Sequence, residues 1–407
     1  MNKNLILIRF VGALSKWKRR LRRGQAPLSF LENIDHFKTA SPKTKRALIS
    51  IWPVGAWFTA LQQYPNIRLF NSDGLVYSLV KVLNEHGFVV DIVDRLDAAF
   101  RPAKHYDLFI GHGGRQSALI DVLEKEHTLI LQYISQAYWK ELLRQTNERY
   151  DDLCRRKGIP RMTSSPFARA HTEEEKLGEE YLAEHAKYFI TGDYPRTMQG
   201  YGKYSPKMRP VGWAAYVEED LIIRDRDCDA GRKGFIYVAG NLGNVQKGLD
   251  LLLDTFARTP DLNLYIYCNV EKEVRRLFRK ELSLPNIRYI YHYKFGFLRN
   301  RLRAVLRRVN FTITAPINSG IGTAFLGSTG VGLIPVGYVD MPCSPSHSRL
   351  ADSWHVESLV KNVREASQMP IEWCQKASAL NMRNCRENWS AQSFERRFSA
   401  FMRECQA

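Results

Sequence analysis

Residues 234–256 read Gly-Phe-Ile-Tyr-Val-Ala-Gly-Asn-Leu-Gly-Asn-Val-Gln-Lys-Gly-Leu-Asp-Leu-Leu-Leu-Asp-Thr-Phe, and they predict a strand, a glycine loop and a helix in succession. Residues 235–239 form a short apolar run rich in β-formers, and Gly240 and Gly243 follow it, which is typical of a buried strand that runs into a tight loop. Four apolar residues beyond the loop have the spacing of one helix face: Leu249, Leu252, Leu253 and Phe256. The stretch therefore predicts an α/β fold built on a parallel sheet.

The loop and the helix start predict an anion-binding site. Free N–H groups at a helix start, together with the positive end of the helix dipole, favour a negative group at the carboxyl edge of a parallel sheet. Lys247 lies at this helix start, where its ammonium group can reach a phosphate that the loop holds. The alternative is an ordinary strand-to-helix turn with a solvated lysine. The stretch matches neither a Walker loop nor GxGxxG, so the motif alone leaves both interpretations open.

The same alternation extends along the chain on both sides of this stretch. A strand at 47–53, a helix from Asp73 that Gly87 ends and a strand at 88–93 make a βαβ unit. Further short apolar runs have the rhythm of a parallel sheet: 106–110, 128–133, 187–191, 262–267, 287–291 and 311–314. The sequence therefore predicts two Rossmann-like domains.

The domain boundaries follow from these runs and from local composition. We expect a basic amphipathic tail and linker at 1–46, a first Rossmann-like domain at 47–222, a hinge at 223–233, a second Rossmann-like domain at 234–385 and a returning C-terminal helix at 386–407. Within the first domain, residues 140–185 are charged and helix-favouring, and Pro160 and Pro166 indicate a loop.

Composition limits the class of protein. A chain of 407 residues with 44% hydrophobic content is long enough for two separate cores. Its seven cysteines are scattered without a CxxC pair, which argues against a disulfide framework or a structural zinc site and favours the reducing cytoplasm. No HExxH or DxD-like motif stands out in a suitable loop, so we expect no metal site.

The net charge of +18 is concentrated at the N-terminus, because residues 1–46 carry 12 Lys and Arg against 2 Asp and Glu. Residues 1–23 have an apolar and a basic helical face, and Arg9 interrupts the apolar run well before the roughly 20 residues that a bilayer span needs. This helix suits an anionic membrane surface, or it is a disordered or partner-covered tail. The rest of the chain is only mildly basic and contains no aromatic-basic readout module, so we expect no nucleic-acid partner.

Lys247-Gly248 matches the second half of a known motif. It resembles the "GR…KG" loop that opens the second domain of two-Rossmann-domain (GT-B) glycosyltransferases, especially those of family 4, in which arginine and lysine hold the donor diphosphate. Asn241 stands where the arginine is expected. The resemblance covers roughly residues 47–400, and it implies that the two domains face a cleft, with the acceptor on the first domain and the nucleotide sugar on the second.

Residues 316–336 resemble the family segment "E.fG…EA…G.PV", which binds the phosphates and ribose of the donor. Its glycine loop precedes a short helix and makes a second helix-start anion site. Ser319 and Gly327 occupy the places of the two glutamates. The donor-binding residues that the resemblance implies are Gly240, Asn241, Gly243, Lys247, Gly248, Ser319, Gly320, Gly322 and Thr323.

His112 follows the strand at 106–110 and lies between Gly111 and Gly113. "DLFIGH" resembles the "DvvhaH" of family 4 enzymes, in which the histidine faces the donor sugar, and this implies a catalytic residue that protrudes from the strand end. The alternative is a histidine of the core. Arg115, and Gly55 at the start of a long loop, are expected on the acceptor side.

The resemblance implies a metal-independent glycosyltransferase that transfers a sugar from a nucleotide-diphosphate sugar to a glycan or glycolipid, in the synthesis of a surface polysaccharide. Apart from this donor substrate, it implies no cofactor. Such an enzyme would be cytoplasmic and bound peripherally to the inner face of the membrane through residues 1–23. The alternative is a degenerate GT-B-like protein that binds a nucleotide, a glycan or a partner glycosyltransferase without turnover, because Asn241, Ser319 and Gly327 replace charged residues of the motif.

Overall fold

The apolar runs of the sequence form two sheets in the computed structural model of the chain. The structure describes residues 30–35, 37, 44–51, 73–161, 172–192, 198, 200–215, 217, 221–223, 226–239, 243–290, 296–317, 323–339 and 344–406. The described residues of 30–140, 172–215 and 388–406 form a first-sheet unit, and those of 141–161 and 217–387 form a second-sheet unit. The predicted α/β class with two Rossmann-like domains is confirmed.

The first sheet has the strand order β1-β3-β2-β4-β5-β6-β7. The strands are β1 (Phe30–Ile34), β2 (Lys45–Ile51), β3 (Phe88–Asp94), β4 (Leu108–Gly111), β5 (Leu129–Ile134), β6 (Tyr188–Thr191) and β7 (Met208–Pro210). Neighbouring strands are parallel except β1, which is antiparallel to β3. β1 lies in the stretch that the sequence assigns to the linker. It pairs with β3, and the Asn33 N–H also donates to Asp91 Oδ1 on β3 (2.6 Å), so this stretch belongs to the sheet. The predicted domain start at 47 is therefore too late.

Helices connect the strands of this first sheet. They are α1 (Asp73–Glu85), α2 (Ser117–Lys125), the start of α3 (Trp139–Lys157) and α4 (Glu173–His185), with a 3-10 helix at Gly202–Lys207. α1 buries one apolar face, which includes Leu75, Leu79 and Leu83. Its bounds confirm the helix that the sequence predicts from Asp73 to Gly87.

The second sheet is parallel in every pair of described strands and has the order β10-β9-β8-β11-β12-β13. The strands are β8 (Gly234–Val238), β9 (Asn263–Tyr267), β10 (Ile287–Tyr289), β11 (Phe311–Thr314), β12 (Ile334–Gly337) and β13 (Arg349–Leu350). The helices are α5 (Cys228–Gly231), α6 (Leu249–Ala257), α7 (Lys272–Leu277), α8 (Gly296–Leu306), α9 (Thr323–Gly330), α10 (Val356–Ser367) and α11 (Ile371–Asn384), with a 3-10 turn at Glu281–Ser283. The opening stretch of the sequence thus forms β8 and α6 at the centre of this unit.

The C-terminal helix α12 (Ala391–Gln406) belongs to the first-sheet unit, after a π-helical turn at Cys385–Trp389. Phe394, Phe398 and Phe401 lie on one face and are buried in the same core as Leu79 of α1. Glu395 pairs with Lys81 of α1 at 2.5 Å. The predicted return of the last helix to the first domain is confirmed.

The helix α3 departs from the predicted boundary of the first domain, because its residues from 141 onward belong to the second-sheet unit. Arg149 Nη2 lies 2.8 Å from Asp250 Oδ1 of α6, and both side chains are buried. Arg156 pairs with Asp250 (2.5 Å) and with Asp254, and Lys157 pairs with Asp254 (2.6 Å). These ion pairs attach α3 to α6 of the second-sheet unit. The predicted first domain therefore does not run unbroken over 47–222.

Candidate functional site

Three loops of the second-sheet unit lie at one edge of its sheet. β8 ends at Val238, and its neighbours β9 and β11 end at Tyr267 and Thr314. Because parallel strands end on the same edge, the loops at 243–248, 268–271 and 315–317 come together there. This edge carries the predicted donor loop.

The loop closes in a tight turn before α6. The N–H of Lys247 donates to the Gly243 carbonyl (2.9 Å), and the N–H of Leu249 donates to the Asn244 carbonyl (2.9 Å). Gly248 has φ +83°, and a Cβ there would lie 2.2 Å from the Ala315 carbonyl oxygen. Only glycine fits this left-handed turn against the next strand end, which gives the Lys247-Gly248 pair a physical reason.

The main chain around Lys247 is fixed by the end of β11. Thr314 Oγ1 donates to the Lys247 carbonyl (3.1 Å), and the N–H of Ile317 donates to the Gln246 carbonyl (2.7 Å). The Lys247 side chain is half-buried. The lysine therefore projects from a backbone that the end of β11 holds in place.

Glu271 binds two N–H groups of the loop that precedes α6. Its Oε1 accepts from the Gly243 N–H (2.9 Å), and its Oε2 accepts from the Asn244 N–H (3.0 Å). Asn244 Oδ1 in turn accepts from the Glu271 N–H (2.7 Å), and Asn244 Nδ2 donates to the Asn269 carbonyl (3.1 Å). The N–H groups of Gly243 and Asn244 thus have an acceptor within the protein, and the predicted anion site at the helix start stays a prediction.

Several predicted site residues lie outside the described residues and stay predictions. They are Gly55, Gly240, Asn241, Ser319, Gly320 and Gly322. Thr323 begins α9, but its side chain is not among the described ones. Of the nine predicted donor residues, the structure brings together Gly243, Lys247 and Gly248.

His112 directly follows β4 at the edge of the first sheet, but its side chain does not protrude as predicted, since it is only 6% exposed. Its Nε2 lies 2.6 Å from Ser135 Oγ, and its ring stacks on Tyr133 with 5.7 Å between the ring centroids. Ser135 follows β5, the neighbour of β4. The pairing of β4 with β5 thus creates a His–Ser contact that the sequence spacing does not indicate.

A buried arginine supports the chain at His112 and directly after it. Arg95 Nη1 donates to the His112 carbonyl (3.4 Å), and Arg95 Nη2 lies 3.3 Å from Glu175 Oε1. Gly114 has φ +110°, and a Cβ there would lie 2.2 Å from the Arg95 carbonyl oxygen. The loop after β4 is therefore packed directly on Arg95, which fixes the His112 backbone.

Arg115 lies next along this loop, and its N–H donates to the Arg95 carbonyl (2.9 Å). Its partly exposed side chain pairs with Glu174 in the first turn of α4 (3.2 Å). Arg115 is therefore an ion-pair partner of α4 in this structure, and its acceptor-side role stays a prediction.

Glu179 of α4 is a buried acid beside the His112 loop, which sequence reasoning missed. A Cβ placed on Gly113 would lie 3.6 Å from the Glu179 Cβ, and Tyr201 Oη donates to Glu179 Oε1 (2.6 Å). Burial raises the pKa of Glu179 to about 7, although the hydrogen bond from Tyr201 opposes the shift. Strongly shifted acids are frequent near functional sites, but they also occur in structural networks.

Two features of the described residues bear on metal and membrane binding. No group of three or more His, Cys, Asp or Glu in the described part of the chain has the placement to hold a metal ion. Among the helices described, none is both long enough and apolar enough to cross a bilayer.

Comparisons with known proteins define the fold. The sequence matches no protein-family model and no curated protein. The solved structure of the lipopolysaccharide outer core galactosyltransferase WaaB is similar over 88% of this chain and 100% of its own, with 10% identity and a TM-score of 0.57. A UDP-forming α,α-trehalose-phosphate synthase from Burkholderia xenovorans is similar over 89% and 100%, with 12% identity and a TM-score of 0.55.

HepE of Anabaena, solved in complex with UDP and glucose, is similar over 88% of this chain and 99% of its own, with 9% identity and a TM-score of 0.54. Several other matched structures are longer proteins, and the chain spans about half of their length, 53% to 56%. At these identities the likeness establishes the fold. The chain has the GT-B fold of two Rossmann-like domains found in glycosyltransferases.

Proposed function

We propose that the protein is a glycosyltransferase that transfers a sugar from a nucleoside diphosphate sugar to a glycan or glycolipid. The observation that carries this proposal is the Lys247-Gly248 turn, which the ends of β9 and β11 hold at the carboxyl edge of the second sheet. Proteins of the same fold include one solved with UDP and glucose and one described as UDP-forming. A UDP-sugar is therefore the first donor to test.

In this proposal Lys247 supplies positive charge to the departing diphosphate, and no metal ion is needed. A cation placed where charge develops stabilises the transition state. Ser319, Gly320, Gly322 and Thr323 would also contact the phosphates. His112 would act on the sugar side of the reaction.

The finer parts of the proposal concern location and pathway. We infer a cytoplasmic enzyme of surface-polysaccharide synthesis, attached to an anionic membrane through residues 1–23. These residues lie outside the described ones, so their attachment to the membrane stays a prediction.

A second candidate function is nucleotide or glycan binding without turnover. Asn241 stands in the place of a phosphate-binding arginine, and Glu271 already occupies two N–H groups of the loop. Both features lower the positive potential that a diphosphate would meet. Release of UDP from UDP-sugars in the presence of glycan acceptors separates the two candidates, because a binding protein gives none.

Lys247→Ala tests the proposed donor site. A thermal-shift screen with UDP, GDP, ADP and CMP first identifies the nucleotide, because a ligand of the folded state raises its melting temperature. Calorimetry with that nucleotide should then show a loss of about 1.5–3 kcal/mol for Lys247→Ala, the range for a hydrogen bond to a charged group. The matched control is Lys272→Ala, an exposed lysine of α7, which should bind as the unchanged protein does. Equal affinity of both variants would place Lys247 outside the donor site.

A further inference from the structure

The backbone of the donor loop is bound by a carboxylate of the protein itself. Glu271 spans the N–H groups of Gly243 and Asn244 with one oxygen each, at 2.9 Å and 3.0 Å. Two consecutive N–H groups that converge on one carboxylate form the kind of concavity that binds phosphate in other proteins. Here an internal anion fills that concavity.

The contact is reciprocal, because Glu271 and Asn244 each accept a backbone N–H of the other. We call this set of hydrogen bonds between Glu271, Gly243 and Asn244 the lock. Asn244, which is fully buried, accepts from the Glu271 N–H (2.7 Å) and donates to the Asn269 carbonyl (3.1 Å). If Glu271 moved away, the N–H groups of Gly243 and Asn244 would lose their charged partner. A buried polar group that loses its partner costs free energy, so the lock favours one loop conformation.

This lock determines where Lys247 projects. The N–H of Lys247 donates to the carbonyl of Gly243, whose own N–H is bound to Glu271. The Lys247 carbonyl is held from the opposite side by Thr314 (3.1 Å). The backbone of the lysine is thus held from the loop after β9 and from the end of β11, the two strands that flank β8.

We propose that Glu271 is a positioning residue for the donor diphosphate: it stays bound to Gly243 and Asn244 and holds the loop so that Lys247 meets the phosphates. The inference rests on the proposed function. It predicts that removal of the carboxylate weakens diphosphate binding, although a negative charge beside the site disappears. A carboxylate that only competed with the diphosphate would give the opposite sign.

The test compares binding of UDP with binding of uridine by Glu271→Gln. If another nucleotide wins the thermal-shift screen, that nucleotide and its nucleoside replace this pair. We expect Glu271→Gln to weaken UDP binding about 10-fold or more, because the loss of a hydrogen bond to a charged group changes affinity by about this factor. Uridine binding should stay within twofold, because uridine has no phosphate to meet Lys247. A general loosening of the fold would weaken both ligands. Glu273→Gln, two residues further along the chain, is the matched control and should change neither.

Other outcomes overturn the inference. Unchanged UDP binding in Glu271→Gln would show that the loop holds its shape without the carboxylate, and tighter binding would show competition. Glu271→Asp keeps the charge on a shorter side chain, so its UDP affinity should lie between that of the unchanged protein and that of Glu271→Gln. This variant keeps the test valid if the Gln variant does not fold. If Lys247→Ala weakens UDP binding and Glu271→Gln does not, this inference fails while the proposed function stands.

A second measurement does not need a nucleotide. Amide hydrogen exchange of residues 243–249 should be faster in Glu271→Gln than in the unchanged protein and in Glu273→Gln, because the amide keeps only one acceptor oxygen for two N–H groups and loses the negative charge. If the unchanged protein binds no nucleoside diphosphate, the proposed function fails and the diphosphate role fails with it. Equal exchange in all three proteins would show that the Glu271 carboxylate does not hold the loop, and the inference would be wrong.

Discussion

The two sheet edges of this protein hold their candidate residues by different means. At the first edge, side chains make most of the contacts: His112 is bound to Ser135 and stacked on Tyr133, and Arg95, which pairs with Glu175, donates to the His112 carbonyl. At the second edge, the main chain makes most of the contacts. Its hydrogen bonds lie within the loop, with the end of β11 and with the Glu271 carboxylate. A defect at the first edge should therefore change chemistry and pH response, whereas a defect at the second should change affinity.

The largest effect should come from the ion pair that anchors the helix behind the second edge. Arg149→Met removes the partner of Asp250 across α3 and α6, where both side chains are at most 2% exposed. Loss of one partner of a buried pair leaves an incompletely paired charge, so we expect the free energy of unfolding to fall by about 3–5 kcal/mol. Urea denaturation monitored by circular dichroism measures this change.

The same helix supplies a control. Arg144 is 57% exposed and pairs with Glu141 and Glu148, which are partly or largely exposed, so Arg144→Met should cost at most about 1 kcal/mol. A loss below about 1 kcal/mol for Arg149→Met would mean that Arg156, the other partner of Asp250, is sufficient to hold α6.

The next effect concerns chemistry at the first edge. His112→Ala should lower turnover about 10²-fold or more, the scale of lost acid–base help or positioning, while nucleotide affinity stays nearly unchanged. Steady-state kinetics with the donor found in the screen, together with calorimetry, measure the two quantities.

Folding must be separated from chemistry here, because the His112 ring is buried against Tyr133. His112→Gln preserves volume and can still bond Ser135, and it should lose turnover without a large drop in melting temperature. His105→Ala, at a 60% exposed histidine of the same unit, should have no effect. If His112→Gln keeps full turnover, or if its loss follows its melting temperature alone, His112 is a core residue.

The part of the molecule that the sequence predicts is the part with local periodicity. The run at 235–239 and the helix face of Leu249 and Phe256 identify β8 and α6, and the strand end before His112 identifies its place in the sheet. In such units the local pattern decides the structure, so the prediction needs no knowledge of distant residues.

The residues that the sequence does not reveal become neighbours only through sheet pairing and burial. Glu271 reaches Asn244 across 27 positions because β8 pairs with β9, and Ser135 reaches His112 across 23 because β4 pairs with β5. Arg149 and Asp250 are 101 positions apart, so the sequence assigns α3 to the wrong unit beyond residue 140. Neither composition nor residue spacing predicts contacts between residues this far apart in the sequence.

The smallest expected effect is the pH response of Glu179 at the first edge. Its pKa is about 7 in the folded protein, mainly because of burial, while an unfolded glutamate has a pKa of roughly 4.3. Between these values the unfolded chain releases the proton and the folded protein keeps it, so the contribution of Glu179 to stability falls as the pH rises from about 4 to about 7. Above that range both states are ionised and the cost stays constant.

Glu179→Gln removes this dependence, because an amide does not titrate. Chemical denaturation at pH 5 and at pH 8 should show that the variant gains stability relative to the unchanged protein by about 1–3 kcal/mol over this interval, whatever constant offset the new amide introduces. Arg95, Glu180 and Tyr201 also act on Glu179, and they are the same in both proteins, so the difference isolates the one carboxyl group. Glu184→Gln, an exposed acid of the same helix, should show no such change. A pH-independent difference for Glu179→Gln would mean that Glu179 is already ionised at pH 5, and the buried charge of the first edge would then be balanced by Arg95 and Tyr201.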